Sequence, residues 1–250
     1  PSLGALSNSG VVPACRSLDT VSIFALCVED AYQVFQLTVA HDETDYYARD
    51  IKKPNMGTPP KTFIVGVPDQ ATLKFFGDDV QAASFDRSLK SITEIGGDIV
   101  ETDFQPFYDV AHMLYDGVWV AERYAAIQKF IESNPGALHS TTSEVIKRAE
   151  NFNAVDVFKS MYRLQKFKRS TEAVMANFDL LCVPTVPTFV LVKDLIDDPI
   201  GPNSQLGTYT NFVNLLDMCG IAVPTGTRRD GWPNSVTLLA PWGNDVFIAE

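Results

Sequence analysis

Residues 62–101 constrain the fold more than any other stretch. Thr62-Phe63-Ile64-Val65-Gly66-Val67 is a β-branched apolar run between Pro60 and Pro68, the composition of a buried strand. Over 78–95 the apolar residues Val80, Phe85, Leu89, Ile92 and Ile95 recur at helical spacing, and Gly96-Gly97 stops the helix. Asp98-Ile99-Val100-Glu101 then reads as a second strand. A strand, a helix and a strand in that order predict a right-handed crossover and a parallel pair. Because the glycine pair follows a helix instead of preceding one, it is not a phosphate loop.

The rest of the chain extends this pattern. Asp179-Leu180-Leu181-Cys182-Val183, ended by Pro184, has the pattern of a central strand, and two further strands are expected at 221–224 and 235–240. Helices are expected at 29–41, 112–130, 154–178 and 210–218, with a helix start at 243–245. Loops are expected at 42–60, which is also the candidate boundary or mobile segment, and at 190–203. Val21 to Leu26 reads as a short buried strand or the approach to a helix. The fold class is therefore α/β, a mixed β-sheet core flanked by α-helices.

Read as one helix, 112–130 places Tyr115, Trp119 and Arg123 at i, i+4 and i+8. Such a stripe drifts about 80° around the axis over about 12 Å. A phenol hydroxyl, an indole face and a two-pronged guanidinium in a row suit a small planar carboxylate. The competing reading is a packing helix whose arginine snorkels over an aromatic pair, and spacing by itself favours that reading.

Composition narrows the function classes. A formal net charge of −11 with no long basic run argues against nucleic acid as a partner, and no apolar run reaches the length of a membrane span. Cys15, Cys27, Cys182 and Cys219 are scattered without a CxxC pair and read as reduced, buried thiols. The three histidines share no ligand spacing, so no metal site is expected. Nucleophile-elbow, P-loop, dinucleotide and HExxH patterns are all missing, so no catalytic residue is assigned within the chain.

Three long stretches carry a family resemblance. VPACRSLDTVSIFALCVEDA at 12–31 is similar to the segment that follows the catalytic core motif of amidase-signature enzymes. DLLCVPTVP at 179–187 and NSQLGTYTNFVNLLDMCGIAVPTG at 203–226 resemble the end of the same domain. With LYDGVWVAERYAA at 114–126, the first and last resemble the allophanate hydrolase branch, in the form fused to urea carboxylase. Ser22 stands where amidases at large tend to carry glycine, a departure that fits this branch.

The resemblance implies an amidase-signature fold, with residues 1–250 as the C-terminal portion of one such domain. It implies amide hydrolysis by a Ser–cis-Ser–Lys triad lying before Pro1, with allophanate as substrate and ammonia and carbon dioxide as products. Tyr115 and Arg123 match the positions at which allophanate hydrolases grip the substrate. Arg16 and Asp19 belong to a loop near the site, fixing it by an ion pair or a capping bond. The hydrolase step would need no metal or cofactor; biotin and ATP would serve only a linked urea carboxylase, the implied partner in the same polypeptide or complex. A cytoplasmic location and a homodimer are further expectations. The alternatives are an amidase of this fold acting on another small carboxylated amide, or a non-catalytic interaction module. Residues 1–250 by themselves are expected to release no ammonia from allophanate, which a direct ammonia assay on the purified chain checks.

Overall fold

The computed structural model describes residues 1–51 and 55–250. Helix α1 (Val28–Thr38) precedes strand β1 (Phe63–Pro68), helix α2 (Asp79–Glu94) and strand β2 (Gly97–Thr102). Helices α3 (Gln105–Asp116), α4 (Trp119–Ser133), α5 (Ser140–Lys147) and α6 (Ala154–Met175) follow. Next come β3 (Leu180–Pro184), the short helices α7 (Val192–Asp197) and α8 (Gly201–Leu206), β4 (Met218–Thr227), β5 (Pro233–Pro241) and α9 (Asp245–Ala249).

Among the described residues these strands form one five-stranded sheet in the order β2-β1-β3-β5-β4. β1 and β2 are parallel, with Phe63 opposite Gly97 and Pro68 opposite Thr102, as the strand–helix–strand pattern requires. β3 joins β1 in parallel and β5 antiparallel, and β4 closes the hairpin antiparallel to β5. The sheet is therefore mixed.

Because side chains alternate along a strand, β3 feeds both faces of the sheet. Leu181 and Val183 pack with Phe104, Phe107, Phe212 and Leu215, beneath α3, α4 and α6. Leu180 and Cys182 pack with Val65, Val67 and Phe85 of α2 on the other side. In the first layer Phe104 lies 4.5 Å from Phe107, 5.3 Å from Tyr108 and 5.7 Å from Phe212, centroid to centroid. The Tyr108 and Tyr209 hydroxyls are satisfied at the 72–74 turn: Tyr108 donates to the Thr72 carbonyl at 2.9 Å, and Tyr209 accepts from the Lys74 amide at 2.7 Å.

Outside 112–130, the structure departs from the sequence expectations at several points. Residues 207–217 form overlapping turns and not a helix. Tyr209, Phe212, Leu215 and Met218 are all buried, and burial at every third residue suits a chain with three residues per turn better than an α-helix. The expected loop at 190–203 contains α7 and α8, the first closed by the Asp194 carboxylate accepting from the Leu191 amide. Residues 21–26 are the approach to α1, the second of the two expected readings, and not a buried strand, since Phe24 and Leu26 are fully exposed. Cys27, expected to be buried, is exposed just before α1, whereas Cys15, Cys182 and Cys219 are buried free thiols. The 42–60 segment is irregular where described, although its Pro54 lies outside the described residues; Asp42 and Asp45 hold Ser7 and Asn8, tying it to the N-terminal stretch.

A buried polar network fastens α2 to the β4–β5 hairpin. Arg228, 4% exposed, donates to both Asp78 oxygens at 2.8 and 3.1 Å, to the Gln81 side chain at 2.8 Å and to Asp230 at 2.7 and 3.1 Å. Its guanidinium also stacks on Phe189 at 4.4 Å. Asp78 is in turn the N-cap of α2, accepting from the Gln81 amide. Burial works to raise the Asp78 carboxyl, but the bonds from Arg228 and the Gln81 amide outweigh it and hold the group below its usual range.

Arg228→Lys cannot reproduce this fork and leaves buried acceptors unpaired, so chemical denaturation is expected to show a loss of about 2–4 kcal/mol. Because the Asp78 pKa is lowered on folding, its contribution is present above the ordinary carboxylate range and fades as pH falls below about 4. Stability measured against pH should therefore drop less steeply on the acid side in the Arg228→Lys variant.

Candidate functional site

The expected helix over 112–130 is two helices. α3 ends at Asp116 and α4 begins at Trp119, with Gly117 between them in an extended conformation (φ −112, ψ −169). A Cβ at Gly117 would press against the Met113 carbonyl oxygen, closer than any real contact, so the tight elbow needs glycine. α4 carries a further irregularity at Ile127 (φ −123, ψ 17). The straight stripe is therefore corrected.

The elbow nevertheless brings the end residues of that stripe together. The Arg123 guanidinium lies 4.8 Å from the Tyr115 ring centroid, whereas a continuous helix would hold positions i and i+8 about 12 Å apart along its axis. Tyr115 is 41% exposed and Arg123 half-buried. Arg123 makes no ion pair among the described residues, and its buried Nε has no hydrogen-bond partner. Trp119 is buried and belongs to the core beneath α4. Tyr115 and Arg123 are thus adjacent, and the arginine fork is uncommitted.

Residues 14–19 form a tight loop against α4. Asp19 closes it from within, accepting from the Ala14 amide at 2.9 Å and the Cys15 amide at 3.0 Å. This is the capping bond expected of Asp19. Arg16, its suggested partner, is exposed and forms no ion pair among the described residues. Glu122 of α4 grips the loop from outside, accepting from the Ser17 amide at 2.8 Å and the Ser17 hydroxyl at 2.7 Å. From the 207–217 turns, Asn214 donates to the Leu18 carbonyl at 2.6 Å. The Cys15 thiol points inward to the Trp119 carbonyl, and burial pushes it up to about 11 despite the opposing pull of Arg123.

A cavity of about 680 Å³ opens beside this loop. Its walls come from the N-terminal stretch, loop 16–19, Tyr47 and Arg49, the first turns of α4, one face of α6 and residues 214–217. Gly4, at φ +74, lets the chain pass close to the Tyr47 carbonyl, where a side chain would collide. Arg49 binds both oxygens of Asp217 at 2.8 Å and stacks 4.0 Å over Trp242. The wall carboxylates Asp19, Glu122 and Asp217 are all spoken for, while Arg16 and Lys168 face the cavity without ion pairs among the described residues. Tyr115 and Arg123 are not among the lining residues. Arg123 lies within about one turn of the wall residues Trp119 and Glu122 on α4, whereas Tyr115 is on the last turn of α3.

Glu122, Asn214 and the Arg49–Asp217 pair were invisible in the sequence. No motif marks them, and a carboxylate in so acidic a chain gives no signal until its donors are placed. Among the described residues no three His, Cys, Asp or Glu side chains converge on a metal-sized site.

A family model described as Amidase matches residues 1–248. The urea amidolyase of Saccharomyces cerevisiae is 38% identical over the whole chain, which spans 14% of that protein. A structure of Kluyveromyces lactis allophanate hydrolase superposes with a TM-score of 0.95 at 38% identity, covering 99% of this chain and 41% of that one. A structure of 6-aminohexanoate cyclic dimer hydrolase superposes with a TM-score of 0.76 at 18% identity, covering all of this chain and 58% of that one, which shows a shared fold.

Gly117→Ala is expected to open the elbow between α3 and α4 and to cost about 1–3 kcal/mol, because the added methyl meets backbone and not a yielding side chain. Equilibrium unfolding of this variant beside the wild type measures it.

Proposed function

The chain belongs to the amidase family, and from that membership we propose that it is part of an allophanate hydrolase within a longer polypeptide. The enzyme hydrolyses the amide of allophanate, releasing ammonia and then carbon dioxide from the carboxylated remainder. Identity of 38% along the whole chain to urea amidolyase and allophanate hydrolase supports this branch over amidases at large. The observation that carries the substrate class is Arg123, an uncommitted guanidinium stacked on Tyr115 in a protein with 31 acidic residues.

In this reading residues 1–250 are the C-terminal portion of the amidase domain. The Ser–cis-Ser–Lys triad is supplied by polypeptide outside them: the lysine, kept neutral, takes a proton through the bridging serine so that the second serine attacks the amide carbonyl. The residues described here bind and orient. Arg123 pairs with the substrate carboxylate through its fork, and the Tyr115 hydroxyl adds a bond to the planar ureido group. The hydrolase step uses no cofactor, while a linked urea carboxylase uses biotin and ATP to make allophanate from urea. Among the described residues no helix is long and apolar enough to cross a membrane. The reading places the enzyme in the cytoplasm beside its carboxylase.

In the full-length polypeptide Arg123→Lys is expected to lower kcat/KM on allophanate by roughly thirty-fold to several-thousand-fold, since an ammonium cannot reproduce the fork and a lost charge-assisted pair costs about 2–5 kcal/mol. Tyr115→Phe should cost less, about 0.5–3 kcal/mol, and Trp119→Phe should lower the melting temperature before it touches kinetics. Near-native kcat/KM in Arg123→Lys would show that the pair is packing and not a carboxylate clamp.

A further inference from the structure

α6 carries the cations Arg163, Lys166, Lys168 and Arg169 within two turns, and all but one are accounted for. Arg163 stacks on Phe167 at 5.1 Å, Arg169 pairs with Glu172 at 3.8 Å, and Lys166 is exposed to solvent. Lys168 is different. It is half-buried and lines the cavity of about 680 Å³, and among the described residues its ammonium has no ion pair, hydrogen bond or aromatic ring. Of the other described lysines only Lys74 is not exposed, and that one rests over Tyr108 at 3.8 Å. Met161, Leu164, Gln165 and Lys168 stand at i, i+3, i+4 and i+7, so one face of α6 delivers the lysine to the cavity.

No carboxylate of the cavity wall serves it. Asp19 is taken by two backbone amides, Glu122 by the Ser17 amide and hydroxyl, and Asp217 by Arg49. The exposed Arg16 adds a second unpaired cation to the same wall. Val118, Val157, Met161, Leu164 and Leu215 give the wall a largely apolar surface, and the volume is that of a small-molecule site. A cation drawn part-way out of water beside an apolar wall gains most from a charge-assisted bond to an anion. We propose that this cavity binds a small ureido carboxylate, with Lys168 as the counter-ion of its carboxylate and Arg16 as a second cation on the wall. Asn214 suits the ureido end: its amide nitrogen is committed to the Leu18 carbonyl, while its oxygen accepts no bond among the described residues and is free for an N–H. Neither Tyr115 nor Arg123 lines the cavity, so this is a subsite separate from that pair. The choice of a ureido ligand rests on the allophanate reading; the anion site itself rests on the cavity.

The test is calorimetric titration of the full-length polypeptide with ureidoacetate, a stable ureido carboxylate, and with its neutral amide. Lys168→Met keeps the apolar stem and removes the charge, Lys168→Arg keeps a cation, and Lys166→Met removes a charge from the exposed face of the same helix. Ureidoacetate is expected to bind wild type and Lys166→Met alike. In Lys168→Met its Kd should rise about tenfold or more, the loss of one charge-assisted bond, and Lys168→Arg should bring it back to within about threefold. The amide should bind more weakly than ureidoacetate and equally to all four proteins. No binding of ureidoacetate to wild type, an unchanged Kd in Lys168→Met, or equal binding of acid and amide overturns the site. A melting temperature that falls in Lys168→Met while Kd stays put also overturns it, because the lysine then pairs with a carboxylate of the protein. Arg123→Lys, run alongside with allophanate turnover, separates this idea from the clamp. If Arg123→Lys keeps near-native kcat/KM while Lys168→Met weakens ureidoacetate, the clamp is wrong and the cavity site stands. If Arg123→Lys loses kcat/KM while Lys168→Met binds as wild type does, only the cavity site is wrong.

Discussion

Every residue of β3 is buried, and the arrangement of the other elements follows from covering it. A strand apolar on both sides needs a layer against each face. α2 supplies one, carrying Phe85 against Leu180 and Cys182. The other is assembled from α3, α4, α6 and the 207–217 turns, whose aromatic residues stack over Leu181 and Val183. Because β3 also changes partner direction, parallel to β1 and antiparallel to β5, the crossover unit and the hairpin are locked into one sheet. The helical layer that hides Leu181 is the same one that carries the elbow, so the site is a by-product of covering the strand.

Charge is organised in two different ways. At the base of α2, the buried Arg228 is fully used by Asp78, Gln81 and Asp230, and its stabilising role depends on every partner being present. At the elbow the reverse holds: the carboxylates are saturated by backbone amides and a hydroxyl, and the arginine is left over. A satisfied arginine fastens elements together, and an uncommitted one retains free energy for a ligand.

Much of the architecture was legible from local pattern. The 62–101 unit, the buried strand before Pro184 and the β4–β5 hairpin follow from period-two and period-3.6 spacing, each with its own stop signal. The 210–218 segment misled because its apolar residues also tolerate a helical reading; only the packing of Tyr209, Phe212, Leu215 and Met218 showed a three-residue period. Phe24 and Leu26 misled in the opposite sense, being apolar in sequence and exposed in the fold.

The sequence by itself determined the sheet-forming runs, the acidic charge balance, and the candidates Tyr115 and Arg123. Those properties depend on residue type and on near neighbours, which is all that periodicity measures. Only the tertiary structure decided that the helix breaks at Gly117 and that Arg123 stacks on Tyr115, since glycine permits such an elbow without requiring it. Only it decided, too, that Glu122 holds Ser17, 105 residues away in the chain. A hydrogen bond across such a separation leaves no trace in spacing, because packing of the intervening elements sets whether donor and acceptor meet.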